Sequence, residues 1–233
     1  MVALKILACG DVRGRLTAFL KRLNTINAKA GPFEMVLCVG SFFSDNPTQA
    51  DQDVLNDIKA GKTHLPVPVY ILGPNSAEEM SHYADLGGYE IAENLVYLGT
   101  SGCFTTREGL KIAYISGDGD PPGEKPFGIS YDRFKALEAS TRCGDSSFAG
   151  VDVLISSEWP RGVARHGMKP EGVPETAGSG LISKLAVSLR PRYHFVGKHG
   201  CFYERQPYRN HRVRKNGFFI AIKICSKYFL FRS

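Results

Sequence analysis

Short apolar runs alternate with stretches of helical spacing through the first third of the chain. Leu4 to Ala8 reads as a buried strand and is followed by the turn Gly10-Asp11-Val12-Arg13-Gly14. Leu16, Phe19, Leu20, Leu23 and Ile26 then recur every three to four residues, which places them on one face of a helix. Met35 to Val39 is the next strand, Gln49 to Lys59 a second helix, and Val67 to Leu72 a third strand. Ser76 to Tyr83 reads as helical, with Ser76 and Glu79 at the spacing of a capping box. This β-α-β-α-β-α order predicts an α/β domain with a parallel or mixed sheet flanked by helices. Ligands of such sheets sit beyond the carboxyl ends of the strands. Gly10, Gly40 and Gly73 all fall at those ends.

The middle of the chain changes character. Leu95–Leu98, Cys103–Thr105 and Leu110–Ser116 are short strands separated by turns, which predicts an antiparallel second layer. Tyr131 to Ala139 is a helix, and Val151 to Ile155 is a buried strand that runs into Ser156-Ser157-Glu158-Trp159-Pro160. Residues 161–178 read as a long surface loop, Ser179–Leu189 as a helix, and Tyr193–Val196 and Cys201–Arg205 as strands. No internal repeat and no linker divides the 233 residues.

Composition narrows the function classes. At 43% hydrophobic residues the chain can build a core. No apolar segment reaches the length of a membrane span, so no membrane partner is expected. The first residues, Met1 to Leu7, read as a strand rather than a signal peptide, which predicts an intracellular location. The six cysteines form no CxxC pair, so they read as free thiols, not as a disulfide frame or a zinc knuckle. Charge is uneven: from Lys184 onward there are twelve Lys and Arg and one acid, Glu204, while the preceding part is net acidic. Such asymmetry suits contact with a polyanion, and equally a solvated basic face.

The strand-end loops carry the chemistry. Gly10-Asp11-Val12-Arg13-Gly14, Val39-Gly40-Ser41-Phe42-Phe43, Leu72-Gly73-Pro74-Asn75 and Ser156-Ser157-Glu158-Trp159-Pro160-Arg161 together resemble the metal-binding loops of calcineurin-type metallophosphoesterases. Trp159-Pro160-Arg161 and Arg190-Pro191-Arg192-Tyr193-His194-Phe195 are similar to the RNA lariat debranching enzyme. Leu37 to Phe43, the Leu72 to Asn75 loop, and Tyr203 to Asn210 resemble the N-terminal domain of the CwfJ-like (Cwf-nineteen-like) splicing factors. The resemblance covers about residues 4–211. It implies a calcineurin-like sandwich of two mixed β-sheets flanked by helices. It also implies a nuclear role late in splicing, around spliceosome disassembly and lariat turnover, with spliceosomal proteins, the debranching enzyme and RNA as partners.

The chain departs from that pattern at the ligands. Two clustered cations need roughly half a dozen Asp, His and Asn ligands on separate loops. The resemblance places Arg13 where the family has a histidine, Ser41 where it has the bridging aspartate, and Ser76 where a histidine follows Asn75. Ser157 and Glu158 stand in the Ser-His-Asp-Trp-Pro stretch, and Lys198-His199-Gly200 keeps one histidine. Asp11, Asn75 and His199 are the residual catalytic candidates, with Glu158 a poor substitute. Serine and asparagine bring no charge to balance dications. No metal, no cofactor and little or no hydrolysis are therefore expected.

Each survivor also has a plain structural role open to it. Asp11 can cap the following turn, Asn75 can hold a left-handed turn, and His199 can be an ordinary loop residue. Trp159 can pack beneath its loop or stack on a base. Basic and aromatic residues that suit RNA or a protein partner are Arg13, Trp159, Arg161, Arg190, Arg192, Tyr203, Arg205, Tyr208 and Arg209. Three functions follow as expectations: a non-catalytic splicing module, a metal-dependent RNA phosphodiesterase with an altered ligand set, or a basic RNA-binding module. Residues 212–233 diverge from the family as an apolar, basic tail, read either as a last hairpin on a sheet edge or as an alternative terminus, the second being favoured because an exposed apolar edge invites aggregation.

Overall fold

A computed structural model describes residues 4–119, 125–165, 167–174 and 176–206, together with the backbone of three later strands. In chain order the elements are β1 (Ile6–Cys9), α1 (Leu16–Ala30), β2 (Met35–Cys38), α2 (Gln49–Lys59), β3 (Val69–Ile71), β4 (Tyr89–Ala92), β5 (Leu95–Tyr97), β6 (Ser101–Thr105) and β7 (Lys111–Ile115). They continue with α3 (Tyr131–Thr141), β8 (Val153–Ser156), α4 (Gly180–Leu189), β9 (Tyr193–Val196), β10 (Tyr203–Glu204), β11 (Tyr208–Arg209), β12 (Phe219–Ile224) and β13 (Phe229–Leu230).

Two sheets result. The first runs β13-β1-β2-β3-β5-β4 and the second β10-β12-β9-β8-β7-β6, with β11 paired to β12. Both are mixed: β1, β2, β3 and β5 are parallel with β4 and β13 antiparallel at the edges, and β7, β8, β9 and β12 are parallel with β6 and β10 antiparallel.

Alternation along each strand sorts the core into layers. Ile6, Ala8, Met35 and Leu37 face Ile112, Val153, Ile155 and Phe195 of the other sheet. Leu7, Cys9, Val36 and Cys38 face the opposite way, onto Leu16, Phe19 and Leu23 of α1 and Leu55 and Ile58 of α2. Ala113, Ile115 and Leu154 meet Phe134 and Leu137 of α3 and Ile182, Leu185 and Leu189 of α4. The molecule is thus a four-layer helix–sheet–sheet–helix sandwich. Central strands buried on both faces explain why their sequences read as unbroken apolar runs. Three helices are opened by hydroxyls: Thr48, Ser130 and Ser179 each accept a backbone N–H from the first turn.

Several readings need correction. The helix expected at Ser76–Tyr83 is only a 3-10 turn, Glu79–His82. Ser76 Oγ does accept the Glu79 N–H at 3.2 Å, but the Glu79 carboxylate reaches Asn75 N–H instead of closing the box on Ser76. Leu95–Tyr97 joins the first sheet in parallel, and of the strands expected in an antiparallel second layer only β6 is antiparallel there, against β7. The edge strand β4 gives no sign of itself in the sequence, because Tyr89, Glu90, Ile91 and Ala92 are all at least partly exposed and show no apolar run. Cys201–Arg205 shortens to a two-residue strand. The tail strands do not pair as a hairpin with each other: β12 lies parallel to β9, and β13 lies against β1 in the other sheet. The expected domain boundary at 211–212 lies outside the described residues.

Candidate functional site

The carboxyl ends of β1, β2 and β3 converge, as the glycine positions predict. Backbone bonds zip the first two loops together: Arg13 N–H donates to Ser41 O at 3.0 Å and Gly14 N–H to Phe42 O at 2.8 Å. Asp11 Oδ1 accepts the Ser41 N–H at 2.8 Å. Gly40 has φ +77°, and a Cβ there would overlap the Asp11 carboxylate. A Cβ at Gly197, just beyond β9, would overlap the Gly40 backbone. Only glycines at both positions let the first sheet's loops touch the second sheet's.

These loops line a cleft of about 360 Å³, whose walls include Asp11, Arg13, Ser41, Asn75, Ser157 and Lys198. Asn75 Nδ2 donates to Ser41 Oγ at 3.2 Å. Glu79 is 6% exposed, and burial pushes its carboxyl pKa up despite hydrogen bonds from Ser41 and the Asn75 N–H.

Across the cleft stands Lys198. Its ammonium hydrogen-bonds the Glu158 carboxylate, which is buried, and lies 3.4 Å from Asp118 Oδ1. Lys125 Nζ holds the other Asp118 oxygen at 3.2 Å. Burial alone would lower the Lys198 pKa. The Glu158 hydrogen bond and the Glu158 and Asp118 charges outweigh it, so the pKa is raised and the ammonium stays charged at neutral pH. Asp118 is the mirror case: burial would raise its pKa, but Lys198 and Lys125 hold it below the usual carboxylate value. Lys198, His199 and Gly200 form three successive left-handed residues, φ 67°, 60° and 62°, that aim the lysine inward.

Of the sequence candidates, Asp11, Asn75 and Arg13 share the cleft. His199 packs edge-on against Trp159, 5.1 Å between ring centres, and burial lowers its pKa. Trp159 is 1% exposed; its Nε1 donates to Gly197 O at 2.7 Å and its ring stacks on Tyr203, itself 7% exposed. Surface stacking on a base does not fit either ring in this packing: they fasten the Gly197–Gly200 turn to the core.

The basic candidates do not form one rim. Arg190 caps α4, donates to Phe148 O at 2.6 Å and lies over the Phe148 ring, while Arg192 pairs with Asp152 at 3.4 Å. Both precede β9, at the amino ends of the strands, opposite the cleft. Arg161 and Arg205 lie on the other side, donating to Gly178 O and Arg165 O at 3.1 Å. The side chains of Tyr208 and Arg209 lie outside the described residues. Sequence reasoning misses the roles of Lys198 and Asp118. Both follow strand ends, β9 and β7, and the same rule that flags Gly10, Gly40 and Gly73 reaches them once those strands are placed.

A calcineurin-like scaffold implies a metal pair, and the residues here do not fit one. Among the described residues no three His, Cys, Asp or Glu side chains converge closely enough to hold an ion. Ser41 supplies no bridging charge, and a lysine ammonium already occupies the Glu158 and Asp118 carboxylates.

No family model matches the chain. It is 42% identical over 212 residues to CWF19-like protein 1 of Xenopus laevis and 39% identical over 216 residues to CWF19-like protein 1 of Homo sapiens, in each case across 90% of this chain. The chain belongs to the CWF19-like family. It spans about two fifths of the length of these relatives, 39% and 38% respectively. Among solved structures, TT1561 of Thermus thermophilus matches 99% of both chains with a TM-score of 0.58 at 12% identity, a likeness of fold alone. The CWF19-like chain is thus a metallophosphoesterase-type sandwich whose strand-end loops meet around a lysine.

Proposed function

We propose that this chain is a non-catalytic, metallophosphoesterase-like module of a nuclear pre-mRNA splicing factor. It works late, in spliceosome disassembly and intron lariat turnover, beside the lariat debranching enzyme. The observation that carries the non-catalytic reading is the Lys198 ammonium seated on Glu158 and Asp118. A dication entering there must expel a bound cation, and beside Asp11 it meets Ser41 in place of a bridging carboxylate, with Asn75 and Ser157, which bring no charge. The splicing role rests on kinship with the CWF19-like proteins and on the loops similar to the debranching enzyme.

Two readouts test it. Tagged chain recovered from nuclear extract carries spliceosomal proteins and the debranching enzyme. Added to branched RNA with manganese, it leaves the branch intact alone and speeds the debranching enzyme. Branch cleavage by the chain alone that disappears in Asp11→Ala, or recovery without any spliceosomal component, overturns the proposal.

A further inference from the structure

The cleft above Ser41 retains features that an emptied catalytic site does not require. Six non-glycine residues have left-handed backbone among those described. Arg142 and Arg190 cap α3 and α4, and Asn94 turns the chain between β4 and β5. Of the remaining three, Arg13 and Lys198 are the cations lining the cleft, and His199 follows Lys198 in the same turn. Such backbone is unfavourable for large side chains and persists where the surroundings hold it. Here the Arg13 and Gly14 bonds to the second loop and the Trp159 packing do so. Arg13 is 55% exposed and approaches Asp11 no closer than 4.0 Å, which leaves guanidinium donors facing the cleft.

A second observation is independent of charge. Buried side-chain polar atoms almost always have a partner. Among the described residues four lack one, and two of these, Asn75 Oδ1 and Ser157 Oγ, belong to the lining of this cleft. One is an acceptor and the other a hydroxyl that can donate or accept.

The ligand chemistry follows from the mixture. Arg13, Lys198 and Ser157 offer donors. Asn75 Oδ1 and the carboxylates of Asp11 and Asp45 offer acceptors. A bare anion meets those carboxylates with nothing to give them. A ribonucleotide presents a phosphate to the donors and sugar hydroxyls to the acceptors. A volume of about 360 Å³ lies at the small end of the range for small-molecule sites. We infer that this cleft binds a ribonucleotide phosphate without metal, the phosphate held by Arg13, Lys198 and Ser157 and the ribose hydroxyls by Asn75 and Asp45. The inference rests on the non-catalytic reading, since it takes the donors to be protein cations instead of metal ions.

Titration calorimetry of the full chain in EDTA tests it, with AMP, adenosine, inorganic phosphate and a short single-stranded RNA as probes. AMP binds in EDTA, and adenosine or phosphate alone binds about tenfold more weakly or worse. Arg13→Gln weakens AMP about tenfold and Ser157→Ala about threefold. Ser157→Ala leaves the melting temperature of the free chain unchanged or raised, because it removes a buried hydroxyl without a partner. Displacement of AMP by the RNA assigns the site to a strand, and AMP binding undisturbed by RNA assigns it to a free nucleotide. No AMP binding in EDTA, binding that appears only with manganese, or equal binding by both variants overturns the inference. Manganese-dependent RNA cleavage overturns the non-catalytic reading instead, so the two fail separately.

Discussion

Lys198→Met is expected to destabilise the fold by about 2–3 kcal/mol. Removing one partner of a buried ion pair typically costs about 3–5 kcal/mol, because the other charge stays behind without compensation. Here Glu158 is the buried partner, with a side chain 5% exposed, while Lys198 is 41% exposed, so solvent screening reduces the figure. In a domain of this size that lowers the melting temperature by roughly 5–10 °C. Thermal or urea denaturation reads it directly. Adding Glu158→Gln to Lys198→Met recovers most of the loss, since the stranded carboxylate is then gone. A single variant within about 0.5 kcal/mol of the parent, as ordinary surface substitutions are, means that the pair is a solvated surface contact and not the keystone of the cleft.

Acid is expected to weaken the fold through a different group. His194 on β9 is fully buried, and its Nε2 lies 2.8 Å from Ser156 Oγ. The Ser156 hydroxyl donates to Glu158 O, so it accepts from His194 Nε2–H, and His194 Nδ1 is left as an acceptor with no partner. Protonating Nδ1 would bury a charge with nothing to receive its hydrogen, and burial depresses the His194 pKa from 6.5 to about 3. The unfolded chain therefore binds this proton first. Between about pH 6.5 and pH 3 it holds more protons than the folded chain, so stability falls as pH falls through that window. The contribution lost by pH 5 is about 2 kcal/mol. Urea titrations of the parent and His194→Leu at pH 7 and pH 5 isolate it: the parent loses about 2 kcal/mol more than the variant. Equal losses would mean that His194 is not the group responsible.

How much of this is legible in the sequence depends on what each residue's neighbours are. Strands buried on both faces announce themselves: Met35–Cys38 and Tyr193–Val196 are flagged by composition alone. Helices with a capping hydroxyl and one apolar face are nearly as plain, as at Gln49–Lys59. The half-exposed edge strand at Tyr89–Ala92 carries no such signal, since its place is set by pairing with β5 and not by its own pattern. Asp11, Arg13 and Asn75 stand out because strand-end loops are where chemistry collects. Lys198 does not, because a lysine reads as solvated until Glu158, forty residues earlier, is brought beside it. In sequence Trp159 can pack beneath its loop or stack on a base and Tyr203 counts among the binding candidates; their mutual packing beneath the Gly197–Gly200 turn decides for the packing role. The basic candidates scatter for a related reason: proximity in sequence says nothing about which end of a strand a residue occupies, and Arg190 and Arg192 lie at the end away from the cleft.

The central claim is that an ammonium stands where a phosphoesterase holds its metals. Metal content of the purified chain, measured by elemental analysis after equilibration with manganese and zinc and removal of free ion, tests it most directly. The Glu158–Lys198–Asp118 arrangement predicts far less than one equivalent of either metal, with no gain in thermal stability from adding them. One or two tightly held equivalents, lost in Asp11→Ala, would contradict the account.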